Sequence, residues 1–133
     1  MPYINVRIAA PSSTTTAQQV TDLLTNLAVT TLGKAEPVIA VDIQFADPEN
    51  WFIGGKSSAS QHQATFFIEI NVTTGTNTRD EKANFIKLAY AGMQQILGSV
   101  SPTSYVITKN VAPDDWGFGG LTQGYRYIEG QIK

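Results

Sequence analysis

The sequence predicts an α+β fold of two layers, in which tandem β-α-β units form one four-stranded mixed sheet with two helices on one face. Three observations predict it. First, Trp51-Phe52-Ile53-Gly54-Gly55 is echoed by Trp116-Gly117-Phe118-Gly119-Gly120, 65 positions on, and Gly33 with Gly98 and Pro37 with Pro102 keep the same step. Second, each copy opens on residues alternating between apolar and polar, the period of a half-buried strand. Third, each copy continues into apolar residues at helical spacing. Two copies are too few for a solenoid. The 133 residues are therefore expected to form one domain, with pseudo-repeats over 2–63 and 64–133.

The elements follow in order. Ile4, Val6 and Ile8 alternate with Tyr3, Asn5 and Arg7, giving a strand with one apolar face. Thr14 to Thr16, followed by Gln18 and Gln19, provide helix-capping chemistry. Val20, Leu23, Leu24, Leu27, Ala28 and Leu32 then mark one helical stripe, and Gly33 supplies the stop. Beyond Pro37, whose ring cannot continue a helix, Val38 to Phe45 reads as the second strand. In the second copy Thr65 to Val72 is the strand, and Thr78 with Glu81 makes a capping box. Phe85, Ile86, Ala89, Tyr90, Met93, Ile96 and Leu97 form the stripe, Gly98 ends it, and Tyr105 to Val111 is the fourth strand. The Gly-Gly pairs are expected to permit turns or hairpins. Helices on one face leave Tyr3, Asn5, Arg7, Glu69 and Asn71 on the other. Burial of that face against other subunits in a closed ring is the natural solution.

Composition narrows the chemistry. Nine Lys and Arg stand against eleven Asp and Glu, for a net charge of −2. That gives no basic excess for nucleic acid or an anionic membrane. There is no cysteine and one histidine, His62, which removes disulfides, thiolate zinc sites and multi-histidine metal centres; no metal or cofactor is expected. Ser57, Ser58 and Ser60 near His62 read as a polar connector rather than a catalytic pair. Asp47 with Glu49, and Asp114 with Asp115, read as solvated turns beside Pro48 and Pro113. The N-terminus has neither the basic nor the apolar region of a secretory signal, and no run approaches the ~18 apolar residues of a membrane span. A soluble, cytoplasmic protein is expected.

Pro2 straight after Met1, the extended Tyr3-Ile4-Asn5-Val6-Arg7 segment, and an aromatic-x-x-Gly-Gly turn after the second strand together resemble the tautomerase superfamily over essentially the whole chain. Its short members look like one β-α-β copy and its longer members like two; this sequence is of the longer kind. The resemblance implies a tautomerase or MIF-like fold, a homotrimer, and Pro2 as the catalytic residue. The chemistry is physically reasonable. Removal of Met1 would free a secondary amine, and a desolvated amine beside cationic groups has its pKa lowered toward neutrality, where it serves as a general base. The same amine kept charged serves as an acid.

The base setting implies keto-enol or double-bond isomerisation of a small carbonyl acid. The acid setting implies decarboxylation, hydration or dehalogenation of three-carbon acids. A non-catalytic oligomeric binding module on the same scaffold is the reading from another class. Family members hold the substrate carboxylate with loop arginines, but the loops after the first and third strands contain none. The arginines are Arg7, Arg79 and Arg126, and they are the candidate anchors, with Lys34, Lys56 and Lys109 behind them. Trp51 and Trp116 are candidates for an apolar pocket wall or an interface core. Tyr3, Asn71 and Tyr105 are candidate hydrogen-bonding groups. Phe66, the counterpart of Pro2, is internal and not proline, so at most one amine site per subunit is expected.

Overall fold

The computed structural model describes residues 2–132, the side chains of 130–132 excepted. Four strands form the main sheet: β1 (Tyr3–Ala9), β2 (Ala40–Ala46), β5 (Thr65–Thr73) and β6 (Tyr105–Val111), in the order β2-β1-β5-β6. The outer pairs are parallel and the middle pair antiparallel. Asn5 lies opposite Glu69, and exchanging the two copies turns the Tyr3–Asn71 pair into the Phe67–Arg7 pair. An approximate twofold axis therefore crosses the sheet near Asn5 and Glu69, as duplication of one unit requires. Each repeat adds a two-residue-stranded hairpin, β3 (Phe52–Ile53) with β4 (Lys56–Ser57), and β7 (Gly117–Phe118) with β8 (Leu121–Thr122). Gly54 and Gly55 have φ of 59° and 81°, and Gly119 and Gly120 have 63° and 86°. Two successive left-handed residues are what a type I′ hairpin turn needs, and glycine supplies them without steric cost.

Helices α1 (Thr14–Leu32) and α2 (Arg79–Leu97) cover one face of the sheet. The cap of α1 is Ser13, whose Oγ accepts the Thr16 N–H at 3.1 Å, one residue before the threonine run expected to supply it. At its end Gly33 adopts φ 69°. The Gly33 and Lys34 N–H groups reach back to Val29 and Ala28 carbonyls at 3.1 and 3.0 Å, a Schellman closure. The capping box of α2 is present, with Glu81 N–H to Thr78 Oγ1 at 3.1 Å and Thr78 N–H to Glu81 Oε1 at 2.8 Å.

The core lies between these layers. Ile4, Val6, Ile8, Phe66, Ile68 and Ile70 from the sheet meet Val20, Leu24, Phe85, Ala89 and Met93 from the helices, all fully buried. Burying each large side chain stabilises the fold by roughly 1.5–3 kcal/mol before entropy is counted. Ile86, placed in the stripe from spacing, is instead 37% exposed, because the stripe of α2 is narrower than its run of apolar residues.

Two features differ from expectation. The second strand begins at Ala40, since Glu36–Val38 around Pro37 close a 3-10 turn first. A third helix, α3 (Gln123–Ile132), follows the second hairpin, and the Thr122 Oγ1 accepts the Tyr125 N–H at 3.0 Å at its start. Among the described residues no helix is long and apolar enough to cross a membrane.

Candidate active site at one end of the sheet

Pro2 is buried and immediately precedes β1. Its carbonyl accepts the Ala40 N–H at 3.3 Å, which ties it to the start of β2. Tyr3 lies opposite Asn71, so Pro2 sits at the sheet end where β5 and β6 finish. A cavity of about 850 Å³ opens at that end, with Lys34, Val38, Thr73, Thr76, Gln123 and Arg126 in its wall. Such a volume suits a small-molecule site.

Lys34 reaches the wall because the Schellman closure turns the chain just past α1, and its Nζ donates to Thr76 Oγ1 at 3.1 Å. Burial holds its ammonium below the usual lysine value; Glu81 opposes that shift and Lys82 adds to it. Arg126 comes from α3, where its guanidinium lies 4.5 Å from the centre of the Phe118 ring and Nη1 donates to Gln123 Oε1 at 3.3 Å. Trp116 donates through Nε1 to Thr73 Oγ1 at 3.2 Å, pinning the second hairpin to the end of β5. Asn71 donates through Nδ2 to the Tyr3 carbonyl at 3.4 Å. The Tyr3 hydroxyl is already engaged, donating to Asp42 Oδ2 at 2.6 Å. That bond holds its pKa above the ordinary tyrosine value, with lesser contributions from desolvation and the Asp42 charge.

The remaining candidates lie elsewhere within the subunit. Arg7 is paired with Phe67, which is paired with Tyr105, a row at the opposite end of the sheet. There Arg7 stacks over Trp51 at 5.8 Å and lines a second cavity of about 450 Å³ with Ala46, Asp47, Asn50 and Phe52. Arg79 opens α2 on the helical layer and is exposed. The predicted residues therefore divide. Pro2, Tyr3, Asn71, Trp116 and Arg126 share one end, while Arg7, Trp51 and Tyr105 share the other.

The bland readings hold for the polar connectors. Ser58 Oγ donates to the Gln63 carbonyl, and His62 is an exposed turn residue with φ 53°. Asp47 accepts the Glu49 N–H at 2.9 Å in a 3-10 turn. Among the described residues no group of three or more His, Asp or Glu is placed to hold a metal ion. No local pattern in the sequence marks Gln123 as a site residue. The Thr122 cap was the available signal for the helix that carries it.

A duplicated β-α-β subunit with a buried proline at the head of its first strand defines a scaffold of tautomerase type. The family model described as "Tautomerase enzyme" matches residues 67–125. "Probable tautomerase K2" of Dickeya dadantii (strain 3937) is 38% identical over 66 residues, which are 47% of this chain and 96% of that protein. The chain belongs to the tautomerase family.

Solved structures share the fold at low identity. Native fused 4-OT superposes with a TM-score of 0.81 at 19% identity, covering 92% of this chain and 97% of that one. A fused 4-OT wild-type symmetric trimer gives 0.80 at 16%, covering 92% and 96%. The macrophage migration inhibitory factor of Toxoplasma gondii gives 0.75 at 17%, covering 90% and 98%.

Proposed function

We propose that this chain, once Met1 is removed, is a cytoplasmic, homotrimeric tautomerase. The Pro2 amine moves a proton in keto-enol or double-bond isomerisation of a small carbonyl acid. The subunit is a single domain built from pseudo-repeats 2–63 and 64–133. The observation that carries this reading is the burial of Pro2 at the sheet end that also holds a cavity walled by Lys34 and Arg126, with no Asp or Glu among the described residues of its lining. Burial disfavours the charged amine, and the cationic groups in the cavity wall at the same end of the sheet act in the same direction, which favours its use as a base. Such a base removes a proton from the carbon next to a carbonyl and returns it to another atom of the enolate. Cationic groups facing the developing oxyanion lower that barrier. Met1 lies outside the described residues, and while it is attached the Pro2 nitrogen is an amide without useful basicity.

The test has two parts. Intact mass should show the species without Met1, and Pro2→Ala should abolish ketonisation of the enol of phenylpyruvate or of 2-hydroxymuconate. Full activity in Pro2→Ala would sink the mechanism.

A further inference from the structure

The cavity of about 450 Å³ lies at the sheet end away from Pro2, and its wall is of a different kind. Two opposite charges share it, Arg7 from β1 and Asp47 from the turn after β2, with Trp51 and Phe52 at the start of the first hairpin beside them. Each charge is held by something other than its opposite. The Arg7 guanidinium stacks over the Trp51 ring at 5.8 Å, and Asp47 Oδ1 accepts the Glu49 N–H at 2.9 Å. Among the described residues Arg7 makes no ion pair and Asp47 Oδ2 accepts no hydrogen bond. Opposite charges that line one space without closing on each other suit a ligand that carries both. The guanidinium fork fits a carboxylate, and a carboxylate, which only accepts, fits an ammonium. Phe52 is 61% exposed and offers apolar surface next to the charges. The scaffold itself does not require this set. At the related places of the second repeat stand Asn71 for Arg7, Ala112 for Asp47 and Gly117 for Phe52.

We propose that this cavity is a second binding site, for a free α-amino acid with an apolar or aromatic side chain. Arg7 holds the carboxylate, Asp47 holds the ammonium, and Phe52 with Trp51 covers the side chain. Both charged groups keep solvent, so each contact is modest and selectivity comes from the demand for both at once. Binding here is independent of the Pro2 reading.

The experiment is calorimetric titration of the full chain with phenylalanine, with phenylalaninamide, which lacks the carboxylate, and with phenylpropionate, which lacks the ammonium. Wild type should bind phenylalanine about tenfold or more tightly than either analogue. Arg7→Met should lose the preference for phenylalanine over its amide. Asp47→Asn, which keeps an acceptor for the Glu49 N–H, should lose the preference for phenylalanine over phenylpropionate. Each variant is scored by its choice between ligands, so general loosening of the fold does not imitate the result. Lys34→Met, altered at the Pro2 end, should bind phenylalanine as wild type does. The proposal is overturned by failure of wild type to bind phenylalanine, by equal affinity for the three ligands, or by an unchanged preference in Arg7→Met or Asp47→Asn. Loss of binding in Lys34→Met also overturns it, since that places the ligand at the Pro2 end. Turnover by Pro2→Ala, scored separately, tests the amine and not this site.

Discussion

Lys34 shows how one side chain's energetics separate stability from binding. Its ammonium is half-buried and disfavoured by that burial, so its folded-state pKa lies below its unfolded value of about 10.4. Between those two values the unfolded chain holds the proton more often than the folded one, and stability must rise with pH across that window. The effect is modest because the group keeps much of its solvent. Lys34→Met should remove the alkaline rise in urea midpoint. At neutral pH it should leave stability within about 1 kcal/mol, because relief of a desolvated charge offsets the lost hydrogen bond to Thr76. The same variant should weaken binding of a small dicarboxylate, such as adipate, to the cavity that Lys34 lines. A steep loss of stability with unchanged binding would show that Lys34 is a structural residue. Glu81 carries the opposite sign. Its carboxylate is held below the usual range chiefly by the Thr78 N–H and next by Asn77. It therefore contributes stability above the unfolded carboxylate pKa of about 4.3, and that contribution is lost as pH falls through the lowered folded value. Glu81→Gln should flatten this acid limb in a pH series of thermal melts.

At the scale of elements, the hairpins and helix caps are the parts most sensitive to single atoms. A Cβ added at Gly117 would lie 2.5 Å from the Leu121 carbonyl oxygen, which is backbone and cannot swing aside. Gly117→Ala should therefore pry open the hairpin of β7 and β8, with Trp116 loosening from Thr73. The cost should be about 1–3 kcal/mol, read as a lower melting temperature and changed tryptophan fluorescence.

These elements also mark how far the residues alone could be read. The four main strands and two long helices were legible because each has a clean period, and Gly33, Thr78 and the Gly-Gly pairs act through backbone rules that hold in any fold. Helix α3 was not legible: Gly124 and Gly130 interrupt it, and Tyr125, Tyr127 and Ile128 stay more than half exposed, so burial left no stripe to find. The candidate site was half legible. Pro2, Arg126 and Trp116 are nameable by residue type, but type alone groups Arg7 and Trp51 with them. The antiparallel middle pair of the sheet separates the two sets. Lys34, Thr76 and Gln123 become neighbours only after the strands are ordered, since no local pattern joins segments so far apart in the chain.

At the scale of the molecule, the sheet face opposite the helices is the surface on which the proposed assembly rests. Register aligns Arg7, Phe67 and Tyr105 in one row, Asn5, Glu69 and Ile107 in the next, and Tyr3, Asn71 and Lys109 in a third. Tyr105 is 61% exposed and Ile107 and Tyr3 are each 41% exposed in the single subunit. Apolar groups set among charges on one continuous face suit an interface between copies of the chain. The proposed trimer should appear by light scattering at micromolar concentration. Ile107→Asp should shift it toward monomer by burying an unpaired charge at the contact.

A trimer also gives meaning to the division of candidates between the two ends of the sheet. If Arg7 serves catalysis, it must serve the Pro2 end of a neighbouring subunit, because within its own chain the strand carries it away. Pro2→Ala and Arg7→Ala should then each be inactive alone. Their co-expressed mixture should recover a fraction of wild-type turnover, through the contacts where an intact Pro2 meets an intact Arg7. Full activity in Arg7→Ala would remove Arg7 from the mechanism. Two inactive variants with no recovery in a verified mixed trimer would exclude a shared site.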